Sequence, residues 1–206
     1  MWSYRWAGLD EDGNPQTYDA EGNKTRTPVA ESIEYNGTYR PKYSGSLSTD
    51  FKYKNLLLSF AFVYNFGHVF RIAYPTMNPL EGAADLSAFV AKRWQKPGDE
   101  NKTDIPATLT WESYDGIRQH LASYSSNSVR KGDFIRLREI TLNYELPSQL
   151  IKKTPFSRVS LTAQANTVWM WTKNKEGFDP EAVDPIHGTL GLSEAPSFTF
   201  GLRVEF

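Results

Sequence analysis

The stretch that decides the fold is Ser197-Phe198-Thr199-Phe200-Gly201-Leu202-Arg203-Val204-Glu205-Phe206, in which every even position is apolar and every odd position is small, polar or charged. A β-strand turns successive side chains to opposite faces. Phe198, Phe200, Leu202, Val204 and Phe206 therefore share an oily face, and Ser197, Thr199, Gly201, Arg203 and Glu205 a wet one. The same comb recurs upstream. Val159 to Trp169 alternates apolar or small residues with amides and hydroxyls, and Phe134 to Leu146 sets Ile140, Leu142, Tyr144 and Leu146 against Glu139, Thr141, Asn143 and Glu145. Leu56, Leu58, Phe60, Phe62, Tyr64 and Phe66 form a fourth comb, and Leu47, Thr49, Phe51 and Tyr53 a fifth. Only Lys54-Asn55 separates the last two, which reads as a hairpin. Nothing comparably periodic precedes Gly45.

The connections alternate in length. Lys54-Asn55 is followed by the long stretch Gly67 to Asp133, then by the short Pro147 to Phe156, then by the long Met170 to Pro196. In an up-and-down sheet alternate connections lie at opposite ends, so one end is tidy and the other elaborate. Connections beyond about 15 residues are uncommon in compact soluble domains. Transmembrane barrels have this asymmetry, with short periplasmic turns, long extracellular loops and tilted strands of about 9–11 residues. The predicted fold class is all-β: antiparallel up-and-down strands forming the C-terminal section of a transmembrane β-barrel, with long extracellular loops containing short helices. Residues 1–45 are expected to be an extracellular loop region. Strands are expected at about 46–53, 56–66, 134–146, 157–169 and 197–206, with long outer loops 67–133 and 170–196. In the third strand Ile135 and Leu137 are out of phase with Ile140, which marks either a bulge or an end raised above the membrane.

Barrels carry aromatic girdles at both membrane interfaces. Tyr64, Phe66, Trp169 and Trp171 fall at the predicted outer ends, and Phe51, Tyr53, Tyr144, Phe156 and Phe206 at the inner ends. If the last strand runs inward, alternation sends the first inward too and places Lys54-Asn55 on the periplasmic side.

Composition agrees. The 206 residues carry a net charge of -1, from 23 basic and 24 acidic groups, without a local Lys/Arg block, so nucleic acid is not an expected partner. There are no cysteines, which removes disulfides and thiolate metal sites and leaves the redox compartment open. No run approaches about 18 apolar residues and no signal peptide is recognisable at Met1. Aromatic residues reach 14%, alongside 14 Gly and 12 Pro, a mixture suited to strands and loops.

The residues resemble the TonB-dependent outer-membrane transporters of the SusC/RagA type from Bacteroidetes. The resemblance rests on Arg5-Trp6-Ala7-Gly8-Leu9-Asp10, on Gly132 to Pro147 (GDFIRLREITLNYELP), on Trp171-Thr172-Lys173, on Gly177-Phe178-Asp179-Pro180-Glu181, on Lys92-Arg93-Trp94 followed by Thr103-Asp104-Ile105-Pro106, and on the Phe-terminated final strand. It implies a closed barrel of about 22 strands around a plug, a TonB-binding segment, a SusD-like surface lipoprotein as lid, and import of glycans or peptides across the Gram-negative cell outer membrane. Plug and TonB-binding segment would lie in a missing N-terminal region, through which the TonB complex would act. The resemblance also makes Phe198, Phe200, Leu202, Val204 and Phe206 the signal read by the barrel assembly machinery. The other implied partner is the lipid bilayer.

Five open strands would leave two unpaired edges in hydrocarbon, where each unsatisfied backbone group costs several kcal/mol. The isolated segment is therefore expected to aggregate or to need detergent.

Chemistry is sparse. His68, His120 and His187 have no partner at metal-ligand spacing, no nucleophile motif is present, and no cofactor or enzymatic activity is expected. Asp10-Glu11-Asp12-Gly13-Asn14 and Asp19-Ala20-Glu21-Gly22-Asn23 read as tight turns in preference to calcium loops, and Asp179-Pro180-Glu181 and Asp184-Pro185 as rigid surface turns. A short helix is expected from Asp85 to Trp94, with Leu86, Phe89, Val90 and Trp94 on one stripe. Packing between loops is the first use of that stripe. Trp94, Trp111, Tyr114 and Tyr124 are candidates to touch the substrate or the lid lipoprotein. Two rivals stay open: a soluble all-β carbohydrate-binding module, and a passive porin or barrel-anchored adhesin.

Overall fold

The computed structural model describes residues 1–73, 91–108 and 115–206. These form two compact units, one made of Arg40–His68, Lys131–Ala182 and Gly191–Phe206, the other of Met1–Tyr39, Val69–Arg130 and Val183–Leu190.

The first unit is a five-stranded antiparallel sheet. Its strands are β1 (Tyr43–Tyr53), β2 (Leu56–Phe66), β3 (Phe134–Glu145), β4 (Arg158–Thr172) and β5 (Ser197–Glu205). Their order across the sheet is β5-β4-β3-β2-β1, so each strand pairs with its neighbour in sequence, as the alternating connections require. β1 begins at Tyr43, earlier than the periodicity suggests, because Gly45 blanks one tooth of the comb. The Tyr64 ring lies over that glycine: a Cβ at Gly45 would stand 2.7 Å from its Cζ. The β1–β2 turn is tied to the end of β3, with Glu145 N–H donating to the Asn55 carbonyl and Asn55 Nδ2 to the Glu145 carbonyl, both at 2.9 Å.

The phase break in β3 is a bulge. Between Leu137 and Glu139, β3 advances two residues while β2 advances from Phe62 to Ala61, so Arg138 is extra. Over the same step β4 runs from Trp169 to Asn166 and carries one extra residue more. One added residue reverses the facing of a strand and two restore it. Hence Ile135 and Leu137 share a face with Ile140, Leu142 and Tyr144, whereas β4 keeps one parity from Val159 to Trp171. Thr167, inside the β4 irregularity, has φ 54°, a left-handed conformation that a β-branched residue rarely adopts.

The second unit was missed as structure by period-two reading, because its strands span two to four residues. Trp2–Tyr4 pairs with Ile33–Tyr35, and Trp6–Leu9, Pro15–Tyr18 and Lys24–Thr25 form a three-stranded meander. The two acidic pentads are its hairpin loops. Asp10 accepts from the backbone N–H of Asp12 and Asn14, and Asp19 from that of Asn23, while Gly13 and Gly22 supply the positive φ. Helix α1, Gly116–Tyr124, starts on Asp115, whose carboxylate accepts from Ile117 N–H at 2.9 Å. Its Leu121 and Ala122 are buried, as are Phe70 and Ile72 of this unit. Residues 85–90 of the expected helix lie outside the described residues.

Relieving the left-handed conformation at position 167 should be favourable. Thr167→Gly is expected to raise the stability of the intact parent protein by up to about 1 kcal/mol, read from urea unfolding in detergent micelles; a comparable loss would show that Thr167 makes a contact worth more than its backbone strain.

Candidate functional site

The sheet has two chemically distinct faces. Register aligns Leu47 with Phe62 and Leu137, Phe51 with Leu58 and Leu142, and Tyr53 with Leu56 and Tyr144. It continues the row across Ala163 to Phe200 and Leu161 to Leu202. A soluble sandwich would cover such a face. Here Phe198, Phe200 and Leu202 remain 66%, 82% and 67% exposed, and Leu47, Phe51, Leu161 and Trp169 are exposed as well. The exposed apolar strip runs across the whole sheet, far beyond the isolated apolar residues normal on a soluble surface.

The expected girdle residues fall in two rows. At the long-connection end Tyr64 and Trp171 flank Ile135 in register, and Tyr64 stacks on Phe66 at 5.3 Å. At the short-turn end Tyr53 and Tyr144 sit on either side of Leu56, and Phe156 meets the terminal Phe206 edge-on at 5.3 Å.

The opposite face is polar and internally bonded. Thr162 Oγ1 donates to Asn143 Oδ1 at 2.6 Å, Gln164 to Asn166, and Asn166 to Ser197. Toward the short turns this face ends in a groove of about 480 Å³, where Arg158 pairs with Glu145 and Glu205, and Lys52 and Lys54 line one side.

One group of charges stands apart. Arg136, buried on the polar face, binds Asp179 at 2.5 Å and lies 2.9 Å from Glu181, while Arg138 binds Glu181 and Glu194. The bulge makes this possible, since it leaves Arg136, Arg138 and Glu139 all on the polar side. Asp179-Pro180-Glu181 is therefore no surface turn at its first residue: Asp179 is 7% exposed and held by a buried guanidinium. Sequence reasoning missed the pairing because Arg136 and Asp179 lie far apart in the chain and neither sits in a spacing motif. Asp184 does behave as a turn residue. It accepts from His187 Nδ1 and from the N–H groups of Ile186 and His187, contacts that hold its pKa down at about 2.

His68 sits just beyond β2, buried against Gly132 and edge-on to Phe134, and its Nδ1 has no partner among the described residues. Burial lowers its pKa from the ordinary 6.5, partly offset by Asp133.

In the other unit Tyr124 is exposed; its ring lies tilted against His120 at 4.8 Å and meets the Arg71 guanidinium at 4.8 Å. Arg71 is buried and bonded to the Trp2 and Ser123 carbonyls and to the Ser3 and Ser128 hydroxyls. Tyr4 adds a third ring edge-on to His120 at 5.7 Å, and Trp2 lies tilted against Tyr35 at 5.1 Å. Trp94 is occupied differently: its indole packs on Gly13 and donates to Glu100. Trp111 and Tyr114 lie outside the described residues. Among the described residues no cluster of three His, Cys, Asp or Glu is arranged to hold a metal ion, and no helix is long and apolar enough to cross a membrane, which says nothing of a strand-built barrel.

This architecture defines a class: an antiparallel barrel-type sheet with an apolar outer face and a polar inner one. Comparison with known proteins narrows it. The chain is 31% identical to TonB-dependent receptor P39 of Formosa agariphila, over 80% of the chain and 16% of the receptor. It is 25% identical to TonB-dependent receptor P3 of the same organism, over 97% of the chain and 20% of the receptor. The whole chain superposes on solved structures of the RagAB peptide transporter with a TM-score of 0.72 at 23% identity, covering 23% of that chain. For the RagAB peptide importer in its open-open state the TM-score is 0.69 at 21% identity, covering 22%. No family model matches. In sequence the chain matches a segment of TonB-dependent receptors, and its fold is that of the RagAB structures; it spans under a quarter of each protein it resembles.

Two outcomes follow. Asp179→Ala, which leaves the buried Arg136 guanidinium with only the partly exposed Glu181 as counter-charge, should cost the intact receptor about 3 kcal/mol, and Arg136→Met with Asp179→Leu together should recover most of it, as measured by urea unfolding. His68 gives the wall an acid sensitivity: with a folded pKa below 6.5, its contribution is complete above that pH and is lost as pH falls from 6.5 toward the folded value. His68→Phe should flatten the fall of the unfolding midpoint as pH drops below 6.5.

Proposed function

We propose that this chain is the closing, C-terminal section of the barrel wall of an energised importer in the Gram-negative outer membrane. The observation that carries the reading is the exposed apolar face: five strands in register, oily on one side and hydrogen-bonded on the other, suit acyl chains outside and an aqueous lumen inside. The long connections then face the exterior, the aromatic rows sit at the two interfaces, and β5 with its terminal Phe206 presents the stretch read during assembly. Segment 1–45 and the connections 67–133 and 170–196 belong to the outer side in this reading.

The cargo is an oligomeric nutrient, glycan or peptide. The peptide importer named for the structural relatives supports the second alternative for this chain. A SusD-like lipoprotein serves as the lid, and TonB drives release through regions outside this segment. Tyr124, held against Arg71 and His120, is the described residue best suited to meet cargo or lid, because it is an exposed aromatic and aromatic side chains serve both. Trp94 is better suited to loop packing. Trp111 and Tyr114 remain candidates on sequence grounds alone.

The assignment of faces is tested in the intact receptor. Leu202→Arg should cost about 2–4 kcal/mol of folding stability and lower the amount of receptor in the outer membrane, whereas Thr199→Arg, on the inner face, should cost much less. Equal tolerance of both substitutions would overturn the proposed wall.

A further inference from the structure

We infer that Arg136 and Arg138 form a two-stage clasp on the neck of the connection between β4 and β5: a permanent inner lock and a releasable outer catch. The inner stage is the Arg136–Asp179 pair, whose side chains are 3% and 4% exposed. The Arg136 guanidinium also meets the Met170 sulfur and lies over the Phe134 ring. Asp179 in turn accepts from Glu181 N–H, and Asn174 brackets Phe178 by bonding both its N–H and its carbonyl. Water and salt have little access to this stage, so its strength is nearly independent of ionic strength.

The outer stage differs in kind. Arg138 is partly exposed, bonds Glu181 through both carboxylate oxygens, and reaches Glu194, which is 59% exposed. Residues 191–196, which lead directly into β5, are exposed throughout and belong to no helix or strand. Among the described residues their fastenings are the Gly191 N–H to Ala182 carbonyl bond and the Arg138–Glu194 pair. An exposed pair of this type is weak and screened by salt. The chain between Gly191 and Ser197 is thus an arm held at its base by a backbone bond and near its far end by one releasable charge pair, while the neck behind it stays locked.

Screening, and loss of the Glu194 carboxylate, should free the arm and leave the neck fixed. The test uses the full-length parent receptor in detergent micelles, with single nitroxide labels at Leu192, fully exposed on the arm, and at Lys175, beside the lock; this segment contributes no native cysteine to interfere. Raising salt from 50 mM to 1 M, or introducing Glu194→Gln, should increase the ratio of mobile to immobile signal at position 192 about two- to fivefold and leave position 175 unchanged. Asp179→Asn should mobilise position 175 at either salt concentration. A spectrum at 192 indifferent to both salt and Glu194→Gln would overturn the catch, and a salt response at 175 equal to that at 192 would overturn the division into two stages. Because Glu194 is exposed, its variant carries little risk to folding, and the salt arm needs no variant at all.

Discussion

A peptide group that faces hydrocarbon has only the neighbouring strand to bond with, and the whole arrangement follows from this constraint. It requires strands in sheet neighbourhood, so that each ladder is complete from β1 to β5. It also requires that side chains alone decide what each face meets. The outer rims of β1 and β5 still present open ladders, which is why a wall of this kind acquires its stability as part of a larger closed barrel. The curated relatives, five to six times the span matched here, are long enough to supply one.

Within that frame, charge is kept to places where strand geometry can pay for it. The polar face satisfies its amides and hydroxyls along and across strands, and its ion pairs gather at the two ends. At the short-turn end they are at least partly exposed, with Glu145 and Glu205 sharing Arg158. At the other end the bulge leaves Arg136, Arg138 and Glu139 all on the inner side and lets Arg136 sink until it needs Asp179 as a buried counter-charge. The same local irregularity therefore preserves the apolar face of β3 and creates the anchor for the following long connection.

How much of this could be read beforehand differs by element. The five strands were legible because each runs long enough for a period of two to show, and the break between Leu137 and Ile140 was visible as a change of parity, although parity alone left two explanations open. The β4 irregularity was invisible for the complementary reason: two added residues leave the parity of Val159 to Trp169 intact. The hairpins before Tyr43 were legible only through their turn residues, since strands of two to four residues carry too few side chains to display a pattern. The Arg136–Asp179 pair had no local signal, because partners separated by an entire strand and turn meet only through register. Tyr124 was found by residue type and its contact with His120 is local, one helical turn away, but its support by Arg71 depends on tertiary placement.

The unequal lengths of the paired strands have a bearing on descent. Between β2 and β4 the backbone gains a residue at each step, so a lineage that lost Arg138 alone would turn Ile135 and Leu137 toward water and carry Phe134 and Arg136 to the greasy side. Insertions and deletions in this wall are consequently inherited under a parity rule: changes by pairs within one strand are conservative, and odd changes survive only with a compensating loss or gain in the same strand.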